Sequence, residues 1–209
     1  MAEHHHDHPH PVDVDVDAAP PTHHQLLTEA VAALLIRKGI VTADELRRTL
    51  EDIDAKSPAA GARLVARAWV DPAFRERLLD DVNAAASELG IDAGHIPIRA
   101  VANAPGLHNL IVCTLCSCYP RLLIGLPPDW YKARSYRSRA VREPRAVLRE
   151  FGLDLDPSIT VHVHDSTADL RYMVLPERPA ATAGWGEDAL AALVTRDCMI
   201  GTALPKAAL

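Results

Sequence analysis

Residues 110–120 read Leu110-Ile111-Val112-Cys113-Thr114-Leu115-Cys116-Ser117-Cys118-Tyr119-Pro120, a short apolar run that leads straight into three clustered cysteines. The run has strand character, so the cysteines sit on the bent loop that follows it. Three of the chain's four cysteines fall in this loop. That spacing suits metal or redox chemistry better than a disulfide framework in a chain of this size. From spacing alone, a zinc or iron–sulfur site stays open as an alternative. Cys116-Ser117-Cys118 also permits a different geometry. A metal held by both sulfurs lies close to the intervening backbone nitrogens of Ser117 and Cys118. If those amides deprotonate, chelate rings close in sequence and give a square plane of two nitrogens and two sulfurs. Cys113 then places its sulfur on one axial position, and the opposite one is open to substrate on a Lewis-acidic ion. Deprotonated amides need a small, strongly polarising ion, and the strong-field plane favours low-spin cobalt(III) or iron(III) over zinc. Three thiolates and two amidates leave such a site at about −2 with a trivalent ion, an excess that requires cationic neighbours.

Working outward, residues 98–102, 160–164 and 170–175 also read as strands, and residues 136–141, 144–151 and 187–194 as helices. Strands mixed with helices in irregular order, without repeated βαβ units, point to an α+β domain. Upstream the pattern is helical. Leu26, Leu27, Val31, Leu34 and Leu35 recur at helical spacing, and Gly39 stops the run. Thr42 to Glu45 has the form of a capping box. Residues 63–69 and 74–89 read as two more helices, the latter opened by Asp71-Pro72 and closed by Gly90. The expected organisation is a disordered His- and Asp-rich tail (1–22), a helical arm (23–96) and a metal-binding catalytic domain (97–209) layered α-β-β-α. The arm carries more apolar surface than its short segments can cover, so a partner subunit is the expected cover.

Composition removes several classes of function. At 209 residues, 48% hydrophobic, the chain supports one good core. Net charge is −6 and the basic residues form no long tract, so nucleic acid is set aside. There is no long apolar span and no basic start with an apolar run at the N-terminus, and the chain reads as soluble and cytoplasmic.

The segment from Val112 to Pro120 resembles the metal claw of nitrile hydratase α subunits. Further blocks resemble the same family in order: Gly125-Leu126-Pro127-Pro128-Asp129-Trp130-Tyr131, Tyr136-Arg137-Ser138-Arg139, Arg142-Glu143-Pro144-Arg145, Pro176-Glu177-Arg178-Pro179, and the ending around Thr195-Arg196-Asp197 and Ile200-Gly201. Thr114 is the residue that marks the cobalt type. The resemblance implies one cobalt(III) per chain, held by the sulfurs of Cys113, Cys116 and Cys118 and the amidates of Ser117 and Cys118. It also implies a sulfinate at Cys116, a sulfenate at Cys118, and hydration of a nitrile to an amide. Cys118, Cys116 and Ser117 are then the catalytic set, with the nucleophile either a hydroxide or the Cys118 sulfenate oxygen. β-type subunits would complete the site in a hetero-oligomer. The γ subunit of thiocyanate hydrolase shares the pattern. Arg121, Cys198 and the His-rich start lean towards it, whereas Gly125 to Pro128 and the short C-terminus lean back, a mixture resembling the three-subunit branch of nitrile hydratases. A non-catalytic metal-binding or delivery module is the alternative from another class.

Other residues carry weaker signals. Arg171, inside a strand, is the candidate for a buried ion pair near the metal. Asp165-Ser166 either braces the loop or forms a simple turn. The arginines at 134, 137, 139, 142 and 145 either offset the site's charge or face solvent or a partner. His162 and His164 share a strand face, more in keeping with an exposed face than a metal pair, and Cys198 reads as a small buried hydrophobe. The N-terminal histidines have the chemistry for weak metal capture.

Overall fold

Helix formation at the N-terminal end is dictated by local signals. The computed structural model describes residues 20–116 and 118–206, so most of the expected tail lies outside the described residues. In α1 (His23–Arg37) the Thr22 side chain accepts from the Gln25 amide and the Gln25 side chain accepts from the Thr22 amide, at 3.3 and 2.6 Å. In α2 (Ala43–Asp54) Thr42 and Glu45 repeat the exchange at 2.8 and 3.1 Å. Each pair satisfies amides that a helix start leaves unbonded. Neither helix buries a residue.

One compact unit ends at Glu51 and the next begins at Asp52, whereas the sequence reading divides the chain after residue 96. The helices that follow α2 join the second unit because their apolar faces pack with the strands. In α3 (Ala59–Val70) Leu64 and Val65 are fully buried. The single helix expected over 74–89 is two, α4 (Pro72–Asp80) and α5 (Val82–Glu88). Asp81 separates them in an extended conformation and caps the second through the Ala84 amide at 3.0 Å. An aspartate that can accept from a backbone amide favours this break over an unbroken helix. Asn83 then fixes the next turn, donating to the Gly94 and Ile96 carbonyls and accepting from the Ile98 amide.

That amide opens β1 (Ile98–Ala102), which pairs in parallel with β4 (Arg171–Leu175), Ile98 opposite Arg171. β2 (Leu107–Val112) pairs in parallel with β3 (Thr160–Asp165), Leu107 opposite Thr160 and Val112 opposite Asp165. Parallel partners need crossovers. The one from β2 to β3 runs through α6 (Arg121–Ile124), α7 (Asp129–Lys132), α8 (Arg134–Arg142) and α9 (Pro144–Glu150). β2 begins three residues before the apolar run because His108 and Asn109 are strand residues too. Both are buried and held by hydrogen bonds: His108 to the Gly201 carbonyl (2.7 Å) and Asn103 (3.3 Å), Asn109 to the Ala102 carbonyl (2.8 Å) and Asn103. After α10 (Glu187–Ala191) and α11 (Arg196–Ile200), Gly201 closes the last helix at φ +95°. A Cβ there would lie 2.0 Å from the Asn109 carbonyl oxygen, so the chain end packs against the β2 backbone as only glycine allows. Mixed helix and strand content agrees with the expected fold class. No helix among the described residues is long and apolar enough to cross a membrane.

Candidate metal centre

Cys113 directly follows the last residue of β2 and is fully buried; Cys116 is exposed and Cys118 half-buried. Their sulfurs converge. Cys113 Sγ and Cys116 Sγ are 3.5 Å apart, Cys116 Sγ and Cys118 Sγ 3.2 Å, and all three lie within 4.8 Å of one another. Sulfurs about 2.3 Å from a shared ion stand about 3.3 Å apart when they subtend a right angle and about 3.8 Å apart when tetrahedral. The 3.2 Å separation matches a right angle and the 3.5 Å separation lies between the two values. The three sulfurs therefore stand close enough to share one thiolate-bound ion. Ser117, whose amide is one expected ligand, lies outside the described residues.

The strand register sets the loop's support. Because Val112 faces Asp165, the end of β3 lies against the first turn of the loop, and Asp165 accepts from the Thr114 amide at 2.9 Å and the Thr114 hydroxyl at 2.5 Å. The Ser166 amide donates to the Val112 carbonyl at 2.7 Å. From the other side Arg137 donates to the Thr114 carbonyl at 3.1 Å. Tyr131 donates to the Cys118 carbonyl at 3.0 Å and Tyr136 to the Ile111 carbonyl at 2.6 Å. Both phenols belong to an aromatic cluster with Tyr119 and Trp130, in which Tyr119 and Tyr131 have ring centroids 5.0 Å apart. Burial raises the pKa of Tyr131 and Tyr136 well above the usual phenol value, so both remain neutral donors. The loop is thus gripped before, within and after the cysteines by groups that leave its sulfurs turned towards one another.

Burial, followed by the neighbouring thiols of Cys116 and Cys113, pushes the Cys118 thiol up to about 12, while the Arg171 guanidinium works in the opposite direction. A cation entering this loop must displace thiol protons, which couples loading to pH.

Not every candidate from the sequence converges here. Asp165 does, as a brace on Thr114. Arg171 brings its charge towards Cys118, but its guanidinium donates to the Thr167 carbonyl, and among the described residues no carboxylate pairs with it. Among the described residues the half-buried Arg171 rests on this backbone carbonyl in place of the carboxylate partner expected for it. Of the five arginines, Arg137 reaches the loop, and Arg134 and Arg142 line an open cleft beside Thr114 and the exposed Leu115. Arg139 is committed to Glu143 and Glu150, and Arg145 to carbonyls of residues 155–159. His164 hydrogen-bonds Asn109 at 2.8 Å, and its ring centre is 6.5 Å from that of His162. Cys198 is buried in the core. Sequence reasoning placed Tyr131 and Tyr136 only within family-like blocks and gave neither a role at the site, because both act on backbone carbonyls.

Known proteins resemble this chain over most of its length. The family model described as nitrile hydratase, alpha chain, matches residues 22–203. The low-molecular-weight cobalt-containing nitrile hydratase subunit alpha of Rhodococcus rhodochrous is 47% identical over 85% of this chain and 86% of its own. Thiocyanate hydrolase subunit gamma of Thiobacillus thioparus is 41% identical over 87% of this chain and 80% of its own. Among solved structures, a recombinant thiocyanate hydrolase comprising partially modified cobalt centres superposes with a TM-score of 0.83 at 40% identity, covering 90% of this chain and 92% of that one. An Fe-type nitrile hydratase of Comamonas testosteroni gives 0.80 at 42%, covering 89% and 96%. With the three-sulfur loop inside a match that spans most of its length, the chain belongs to the nitrile hydratase alpha-chain family.

Proposed function

We propose that this chain is the metal-carrying subunit of a cobalt nitrile hydratase and that it converts a nitrile to the amide at residues 113–118. The observation that carries this reading is the convergence of three sulfurs on one loop in a chain 45–47% identical to cobalt-containing nitrile hydratase alpha subunits. The sulfurs of Cys113, Cys116 and Cys118 and the amidates of Ser117 and Cys118 would hold one trivalent cobalt. When bound, that ion supplies the Lewis acidity that polarises a carbon–nitrogen triple bond. The chain's own groups supply position and charge. Asp165 and Arg137 fix Thr114 from opposite sides, Tyr131 fixes the Cys118 carbonyl, and the Arg171 charge offsets negative charge on the Cys118 side. Cys113 is buried, Cys116 exposed and Cys118 half-buried; in line with the family resemblance, Cys113 would be held as a thiolate, Cys116 as a sulfinate and Cys118 as a sulfenate. Either a hydroxide or a Cys118 sulfenate oxygen would be the nucleophile on the nitrile carbon.

In the same reading the two sheets form the middle of an α-β-β-α arrangement, and a β-type subunit covers the claw and the apolar side of α1 in a cytoplasmic hetero-oligomer. Leu26, Leu27 and Val31 are each about half exposed, which is surface a partner would bury. Thiocyanate hydrolysis is the second reading, favoured by the gamma subunit's 41% identity.

The deciding experiment is cobalt analysis and intact mass of the chain co-expressed with its β-type partner, followed by assays on a nitrile and on thiocyanate. Tightly held cobalt, added oxygen on Cys116 and Cys118, and faster turnover of the nitrile support the proposal. Faster thiocyanate turnover selects the second reading. Exchangeable zinc on three reduced thiols makes the chain a metal-delivery module instead.

A further inference from the structure

The arginines of α8 divide by face. Arg139 is held by Glu143 and Glu150, at 2.6 and 2.5 Å. Arg134, Arg137 and Arg142 meet no carboxylate among the described residues. Arg137 donates to the carbonyls of Lys132 and Thr114, and Arg142 to the carbonyl and hydroxyl of Ser138. Positions 134, 138 and 142 recur every four residues and share one side of the helix, with 137 and 141 beside them. Together with Thr114 and Leu115 of the claw loop, this side lines an open cleft of about 570 Å³. Its apolar members are poorly covered: Leu115 is 84% exposed and Val141 46%. The cleft thus combines three unmatched guanidinium groups with bare apolar surface, in a chain whose net charge is −6.

This arrangement costs the chain something on its own. Arg134 opens α8, whose first turn holds no acidic residue, so its charge opposes the positive end of the helix dipole. Arg134 and Arg137, one turn apart, repel each other. Carboxylates brought from outside relieve both. We propose that the cleft is the docking site for an acidic segment of the β-type partner subunit, in which carboxylates for Arg134 and Arg142 flank an apolar side chain that packs on Leu115 and Val141. The extent of the charge favours a polypeptide over a small anion. Arg134 and Arg142 start about 12 Å apart along the helix, at about 1.5 Å per residue, whereas one carboxylate engages one guanidinium fork. A small anion also leaves Leu115 in water, and an exposed apolar side chain rimmed by charge is the composition of a protein interface. Leu115 lies between Cys113 and Cys116 in the loop, and Arg137 holds the Thr114 carbonyl, so a segment seated here shields the loop's outer turn. That the occupant belongs to the β-type chain rests on the proposed function; its acidic and apolar character does not.

The test measures binding of the full chain to its β-type partner by sedimentation at low and at high salt. Arg137 is left in place because it holds the claw loop. Association of the unaltered chains should weaken as salt screens the cleft. Arg134→Glu combined with Arg142→Glu should weaken it at least roughly tenfold at low salt and flatten its salt dependence, with the circular dichroism of the chain unchanged. A second pair, Arg134→Lys and Arg142→Lys, keeps the charge and offers amines that a carbodiimide couples to a docked carboxylate. Peptide mapping should find them joined to Asp or Glu of the partner. Equal association of the charge-reversed pair overturns the docking, as does coupling to a second copy of this chain or to nothing. Normal association with a raised KM for cyanobenzoate but not for benzonitrile also overturns it, and makes the cleft a substrate subsite. The association constants alone decide the docking, so a salt-sensitive complex that turns over no nitrile counts against the proposed function and not against the cleft.

Discussion

Helices α1 and α3 are both rich in Ala, Leu and Val, yet they are held by different forces. α1 has a complete capping box at Thr22 and a glycine stop at Gly39, and buries no residue. α3 starts behind Pro58 with no side-chain cap and ends at Asp71, which caps the next helix instead, yet its Leu64, Val65 and Ala66 have no exposed surface. A short helix without tertiary support is marginal in water, so local signals matter where nothing is buried. Where a face is buried, packing replaces them. Substitutions in the second unit should therefore register on folding, and substitutions in α1 on association.

The largest effect is expected where packing is least forgiving. Gly201→Ala adds a Cβ 2.0 Å from the Asn109 carbonyl oxygen at φ +95°, against backbone that cannot rotate away. The combined clash and strain should exceed about 4 kcal/mol, a large share of a typical domain's stability, and the protein should be recovered unfolded or aggregated. Leu64→Ala, in the fully buried stripe of α3, should cost about 2–5 kcal/mol in urea unfolding. A folded Gly201→Ala protein with an unchanged unfolding midpoint would show that α11 does not bear on β2 as described.

Next in size is an effect on the metal rather than the fold. Asp165 receives two hydrogen bonds from Thr114, so Asp165→Asn weakens the brace while leaving the core intact. Groups that orient metal ligands typically contribute about 10–100-fold in affinity or activity. Chelator competition on the assembled protein should show cobalt lost correspondingly faster, with the unfolding midpoint moving by no more than about 1–2 kcal/mol equivalent. Unchanged cobalt retention would assign Asp165 to the ordinary turn that the sequence equally allowed.

How much could be read from residues alone divides along the same line. The glycine stop of α1, the capping box of α2, the strand that enters the cysteines and the cysteine cluster are local patterns, and all were legible; the Thr22–Gln25 capping box of α1 is as local and was passed over. The break at Asp81 was hidden because Phe74, Leu78, Val82 and Ala85 keep helical spacing across it, although Asp81 followed by Asn83 was the available signal. The start of β2 was hidden because His108 and Asn109 look like loop residues until the turn back from Asn103 and the sequence-distant Gly201 carbonyl are brought to them. The parallel pairings and the phenols of Tyr131 and Tyr136 on backbone carbonyls were beyond reach for the same reason: they depend on tertiary register, which no short window contains. The Arg171 contact with the Thr167 carbonyl was likewise out of reach, since it depends on how the loop before β4 turns back on the strand.

The buried network at β2 also predicts a pH effect of intermediate size. Burial lowers the pKa of both His108 and His164 from 6.5, more than offsetting the Gly201 carbonyl at His108 and reinforced by His162 at His164. The unfolded chain therefore binds more protons than the folded one just below pH 6.5. Stability is full above that value and falls as pH drops through it, by at most about 1.4 kcal/mol per pH unit for each histidine. Urea midpoints at about pH 7.5 and about pH 5.5 should differ accordingly, with the carboxylates still ionised across most of that range. Equal midpoints would mean that the network accommodates protonated imidazoles.

The smallest effect on stability is expected in α1, and there the sharpest contrast with α3 can be drawn. Leu27 and Val31 are 53% and 48% exposed, so Leu27→Ser and Val31→Ser together remove little buried surface from the chain itself. Their cost in the isolated chain should lie within about 0.5 kcal/mol per substitution, the usual range for surface positions, against several kcal/mol for Leu64→Ala in α3. In the presence of a β-type chain the order changes. If that chain covers α1, each side chain removed from the interface forfeits roughly 1–2 kcal/mol of apolar burial, and the double variant should associate roughly tenfold or more weakly. Co-purification and sedimentation of variant and unaltered chains with the partner measure this directly. Equal association would leave α1's apolar side with another occupant, whereas loss of stability in the isolated chain would show that α1 is supported from within.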